Sequence, residues 1–208
     1  MPEDVAQHSY FVALLCKIFV AEYNKFCENY LVYCEKSEVG KYHIDMGEVL
    51  EKALCHDWDE TFTSDIPYVV KHITPEVNHQ LSLNLDERMR KVIDGCSDAI
   101  KDIYSQCTNC KDGVAGAVVA ICDMLELALY CYEECTLGNK AIEPILRNCI
   151  FYLDNMEQDL GYVLWKSHST VLSLSRVAPT INGLYAMIKE YNFSSDNLYI
   201  DIESHEQT

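Results

Sequence analysis

Apolar residues recur at helical spacing from the first few positions of the chain. Val5, Phe11, Val12, Leu15, Phe19 and Tyr23 fall on one side of a 3.6-residue period and predict a long helix over 3–34. "EKSEVGKYHID" (35–45) breaks the pattern as a polar loop. Val49, Leu50, Ala53 and Leu54 then predict a second helix over about 46–58, stopped by "TFTSDIP", where the proline disfavours a helical residue before it. A short helix, "YVVKHI" (68–73), is expected next, followed by one or two amphipathic helices over 74–107 and a turn at "TNCKDG" (108–113). Residues 114–136 are the most apolar stretch, and Gly138 in the following "LGN" is placed as a C-terminal cap. Residues 141–157 and 159–191 supply further helix, and the tail reads as frayed. No stretch alternates at the period of two that a strand requires. The pattern predicts an all-α fold of roughly seven to nine helices, in one domain over 1–192 with an acidic C-terminal tail over 193–208.

Composition narrows the function classes. The chain has 208 residues, 49% hydrophobic and 24% charged, and a formal net charge of −17. A surface that negative repels phosphate backbones, so long nucleic acid is not an expected partner. A small phosphorylated ligand remains compatible if a metal or a few cations offset the field locally. No membrane span is expected, because polar residues interrupt every apolar run, and the acidic start "MPEDVAQHSYF" lacks the basic region of a signal peptide. The eleven cysteines are odd in number, and several lie inside apolar helical patterns. They read as reduced thiols acting as small hydrophobes in a cytoplasmic protein. "CTNC" (107–110) has no second pair at zinc-ligand spacing and reads as a loop with two thiols.

Against this background a few polar residues are out of place. Asp123 lies in the most apolar helix, among Val119, Ala120, Met124 and Leu127, with Glu126 three residues on. A buried carboxylate must be paired, protonated or bound to a metal. By spacing alone, a Lys or Arg partner suits Asp123 as well as a metal does. His8 has Val5, Phe11, Val12 and Leu15 as helical neighbours, a setting in which a hydrogen-bonded core histidine is commoner than a ligand. His56 and Asp57 end the second helix on its apolar side. Together these residues offer two imidazoles and two carboxylates, a mixed donor set suited to a divalent transition metal.

The order His8 … His56-Asp57 … Asp123 resembles the HD-domain metal-dependent phosphohydrolases, and within them the bacterial 5′-deoxynucleotidase branch. Three segments carry the resemblance: "EDVAQHS" (3–9), "HDWDETFTSDIPYVVK" (56–71) and "CDMLELALYCYEECTLGN" (122–139). It implies an HD-domain helical bundle and one divalent ion (Mn, Co, Mg, Fe or Zn) held by His8, His56, Asp57 and Asp123. It implies catalytic roles for Glu60, beside the metal-activated water, and for Asp65, which also faces the sugar and phosphate. Lys71 matches a lysine on the phosphate side. Trp58, Asp59 and Tyr68 stand at variable positions. The chemistry is consistent, since a divalent ion acidifies water and polarises a phosphoryl oxygen, and a nearby carboxylate can move the proton.

The expected activity is therefore metal-dependent removal of the 5′-phosphate from deoxynucleoside monophosphates. Two alternatives stand beside it: a triphosphohydrolase that depletes a deoxynucleoside triphosphate pool, and a degenerate HD domain that only binds a nucleotide or a protein. Members of the resembled family carry a longer arm, with an Arg–Trp pair toward the nucleotide, before the first metal histidine; here seven residues precede His8. The loop over 33–45, with Tyr42 and His43, is a candidate to take over part of that role. The resemblance also implies a homodimer. His72, His79 and the stretch 164–176, with Lys166, His168 and Arg176, read as surface or helix-capping residues.

Overall fold

A computed structural model of the chain describes residues 5–30, 43–58, 75–108, 113–164 and 173–193. Among the described residues there are eight α-helices and no strand: α1 (Val5–Tyr30), α2 (Met46–Cys55), α3 (Pro75–Ile93), α4 (Asp98–Thr108), α5 (Gly113–Thr136), α6 (Glu143–Leu164), α7 (Leu174–Val177) and α8 (Pro179–Lys189), with a 3-10 turn at Lys140–Ile142. The all-α expectation and its range of helix number both hold for these residues. The amphipathic region after residue 74 resolves into two helices, because Asp94, Gly95, Cys96 and Ser97 break the ladder between α3 and α4. The short helix expected over 68–73, the turn residues 109–112 and the tail beyond 193 lie outside the described residues.

The chain divides into two compact units, one of Met1–Lys17 with Ile44–Val119, the other of Ile18–His43 with Ala120–Thr208. In the first unit the core takes Val12, Leu15 and Cys16 from α1, Val49 and Ala53 from α2, Leu85, Met89 and Ile93 from α3, and Ala115, Val118 and Val119 from α5. The start of α2 is set by Asp45, an extended residue whose carboxylate accepts the Glu48 N–H at 2.9 Å. Asp45 and Glu48 stand three apart, the spacing of a capping box. On α2, Val49 and Ala53 face inward, whereas Leu54 is 60% exposed. The inward face is therefore narrower than its run of apolar residues suggests.

In the second unit Phe19, Val20 and Tyr23 of α1, Leu125 of α5, Leu146 of α6 and Ile181 and Ile188 of α8 are almost wholly buried. Each such side chain contributes about 1.5–3 kcal/mol of hydrophobic stabilisation. Cys27, Cys122, Cys131, Cys135 and Cys149 are buried among them as thiols. Gly138 ends α5 with φ at 101°. Its N–H reaches the Cys135 carbonyl at 3.1 Å, and the Asn139 N–H reaches that of Glu134 at 3.0 Å. These are the two bonds of a Schellman cap, at the glycine where the sequence placed one. α8 begins differently, because its N-cap, Ala178, has no side-chain oxygen to offer. Glu22 of α1 takes over, accepting the Thr180 N–H at 3.0 and 3.2 Å and the Thr180 hydroxyl as well. Its carboxylate thus lies at the positive end of the α8 dipole. Glu143, wholly buried at the start of α6, is paired with Lys140 at 3.0 Å and accepts the Tyr191 hydroxyl at 2.7 Å.

α5 is long and apolar enough to cross a membrane by length and composition. More than half of that stretch is buried inside the protein, and it carries Asp123 and Glu126. This is the burial of a core helix.

Candidate metal centre

The centre is assembled in the first unit from the end of α2 and the first turns of α1. Val49, Ala53 and His56 stand at i, i+4 and i+7, so the face that buries Val49 and Ala53 also turns His56 inward. The His56 side chain is wholly buried. Its backbone is still helical (φ −63°, ψ −28°), and its Nδ1 lies 2.7 Å from the carbonyl oxygen of Ala53. That carbonyl belongs to the last turn of α2, whose carbonyls lack intrahelical N–H partners. A carbonyl only accepts, so Nδ1 carries the hydrogen; Nε2 can then donate to Asp57 when protonated, or offer its lone pair to a cation when not. This is the arrangement in which a metal-binding histidine is oriented by its outer nitrogen.

The inner nitrogen meets two partners. His56 Nε2 lies 3.2 Å from His8 Nε2 and 3.2 Å from Asp57 Oδ2, and His8 Nε2 lies 3.3 Å from the same oxygen. The two imidazole rings are 5.2 Å apart between centroids and tilted by 49°, so they converge at their tips rather than stack. Three donor atoms thus form a nearly equilateral triangle. With metal–ligand bonds of about 2.1 Å, adjacent donors are separated by about 3.0 Å in an octahedron and about 3.4 Å in a tetrahedron. The observed edges fall between these values. The donor set, two imidazole nitrogens and one carboxylate oxygen, suits a divalent transition metal, and His8 and His56 lie close enough to serve one ion.

Asp57 reports the same electrostatics. Burial works against its ionised form, but hydrogen bonds and charge from His56 and His8 outweigh that penalty and hold its carboxyl well below the usual carboxylate range. The ionised form of this carboxylate is therefore favoured.

Sequence reasoning grouped these three with Asp123 as one ligand set. Asp123 is on α5, in the second unit, and is half-buried rather than fully buried. The more buried carboxylate of that helix is Glu126, at 7% exposure. Glu60, Asp65 and Lys71 lie outside the described residues, as do Tyr42, Asp59, Tyr68, His72, Lys166 and His168. His43, His79 and Arg176 are exposed. Two features of the first unit escaped the sequence. The Ala53 carbonyl that orients His56 is a backbone group with no residue signature. Trp58, next to Asp57, makes an edge-on pair with Tyr104 of α4, their centroids 6.3 Å apart at 61°. Nothing in the spacing of those two aromatics pointed to it.

The family described as 5′-deoxynucleotidase YfbR-like matches residues 1–163, which takes in α1 to α5 and all but the last residue of α6. No curated protein sequence matches the chain. The matched family is a family of HD-domain hydrolases that depend on a metal, in keeping with the His8–His56–Asp57 triangle. With more than half of its length matched and an all-α fold, the chain belongs to the YfbR-like 5′-deoxynucleotidase family of HD-domain enzymes.

Proposed function

We propose that this protein removes the 5′-phosphate from deoxynucleoside monophosphates, yielding a deoxynucleoside and inorganic phosphate, with one divalent ion held by His8, His56, Asp57 and Asp123. The observation that carries the reading is the triangle of His8, His56 and Asp57 donors, with edges of 3.2–3.3 Å, in a chain of a 5′-deoxynucleotidase family. When bound, the ion would supply Lewis-acid polarisation of a phosphoryl oxygen and acidification of water.

The protein's own groups do the rest. His56, locked by the Ala53 carbonyl, keeps Nε2 aimed inward without a reorientation step. Asp57, already ionised, balances the charge of the ion. The family resemblance gives Glu60 the proton transfer from the attacking water to the departing 5′-oxygen, work that a carboxylate can do as general base and then general acid. The family resemblance assigns Asp65 to the sugar and phosphate and Lys71 to charge on the phosphate oxygens, the work of groups that stabilise developing charge. With 33 acidic residues against 16 basic ones, the chain has few cations to spend on a long phosphate backbone, which suits a single nucleotide as substrate.

A panel of deoxynucleoside and ribonucleoside mono- and triphosphates, assayed for phosphate and tripolyphosphate release with Mn²⁺, Co²⁺ or Mg²⁺, tests the reading. The expected result is phosphate from one or more deoxynucleoside monophosphates. Release of tripolyphosphate alone would move the activity to triphosphates. A metal-loaded protein inactive on every member would overturn it.

A further inference from the structure

Asp57 has a demanding position. One of its oxygens must lie at nearly equal distances from two imidazole nitrogens, 3.2 and 3.3 Å, yet Asp57 stands in the turn just past the last residue of α2. The helical ladder that fixes Ala53 no longer constrains it. On its N-terminal side the chain is anchored by His56, which is buried and bonded to the Ala53 carbonyl. On its C-terminal side stands Trp58, whose Cα lies about 3.8 Å from that of Asp57, as in any trans peptide. Trp58 is half-buried, and its ring meets Tyr104 edge-on. Tyr104 is itself half-buried on α4, a helix of the same unit that packs against α2. Edge-to-face aromatic pairs have a preferred geometry, set by the ring quadrupoles.

We propose that Trp58 is a positioning residue: clamped on Tyr104 of α4, it fixes the C-terminal side of the His56-Asp57 turn, and so holds the Asp57 oxygen at the ligand triangle. The proposal rests on the reading of that triangle as a metal centre and extends it to the residues that keep it in shape. Tyr104 is a second positioning residue. It acts through Trp58, in the way that partners outside the ligand shell set metal affinity in other centres, typically by about 10–100-fold.

Co²⁺ binding tests the clamp without reference to hydrolysis. Affinity and the visible absorption spectrum of the bound ion are measured for the wild-type protein, Trp58→Phe, Trp58→Ala, Tyr104→Ala, Tyr104→Leu and the Trp58→Ala/Tyr104→Ala double variant, with circular dichroism as a check of the fold. Trp58→Ala and Tyr104→Ala are each expected to weaken Co²⁺ about tenfold and to alter its spectrum. Trp58→Phe, which keeps a ring edge, should retain most of the affinity. The double variant should be no weaker than the worse single one, because the two residues act as one unit. If Trp58→Ala does not fold, Trp58→Phe and Tyr104→Leu carry the comparison from either side of the pair. Wild-type affinity and spectrum in the folded truncation variants, or losses that simply add in the double variant, would overturn the clamp. A wild-type protein that binds no Co²⁺ would overturn the clamp and the metal centre together. Co²⁺ binding with the expected variant pattern, but with no phosphate released from any nucleotide, would sustain the clamp while the proposed activity fails.

Discussion

His56 shows how much a single side chain can organise. Its outer nitrogen satisfies a carbonyl at the end of α2, and its inner nitrogen is thereby aimed at His8 and Asp57. His56→Ala removes both functions, leaving the Ala53 carbonyl without this partner and the triangle without a corner. Loss of an essential ligand should reduce metal affinity and any metal-dependent hydrolysis by about a hundredfold or more. Calorimetric Mn²⁺ titration alongside the phosphate assay checks this; an unchanged titration would exclude His56 as a ligand. The His-Asp pair was legible in the sequence because adjacent polar residues end an apolar helix face. The environment of Asp123 was less so. Its helical neighbours are apolar, but Met124 and Leu127 are themselves only half-buried, so Asp123 is half-buried too, and Glu126 takes the deeper position. Neighbour lists along one helix do not reveal which of its sides another helix covers.

The helices were readable from their 3.6-residue spacing, and their local stops followed from single residues such as Gly138. What spacing along the chain cannot reveal is a cap supplied from far away. Glu22 and Thr180 are 158 residues apart, yet the Glu22 carboxylate caps α8 where Ala178 cannot. Glu22→Ala should therefore destabilise the protein by about 0.5–2 kcal/mol, the range for loss of an N-terminal cap, with Co²⁺ affinity retained. Gly138→Ala should also destabilise, by more than about 0.4–1 kcal/mol, because φ of 101° is strained for any residue with a Cβ. Urea unfolding midpoints measure both effects. A Glu22→Ala protein as stable as wild type would show that the long-range cap contributes nothing.

For the molecule as a whole, the family match over residues 1–163 and the all-α architecture assign the class of enzyme, and the His8–His56–Asp57 triangle is the place proposed for its metal. A metal that binds only the folded state stabilises it by mass action, about 2.7 kcal/mol when the free ion is at a hundred times its Kd. Mn²⁺ should accordingly raise the thermal midpoint of the wild-type protein, and EDTA should reverse the rise. The same addition should leave Asp57→Ala nearly unmoved; an equal shift in that variant would place the ion elsewhere. The most direct test joins metal, residue and reaction in one assay: inorganic phosphate released from a panel of deoxynucleoside monophosphates by the wild-type protein and by Asp57→Asn, each with Mn²⁺ and with EDTA. Phosphate released only by the wild-type protein with Mn²⁺ is the expected result. Equal release by Asp57→Asn, or by the wild-type protein in EDTA, would contradict a metal centre built on His8, His56 and Asp57.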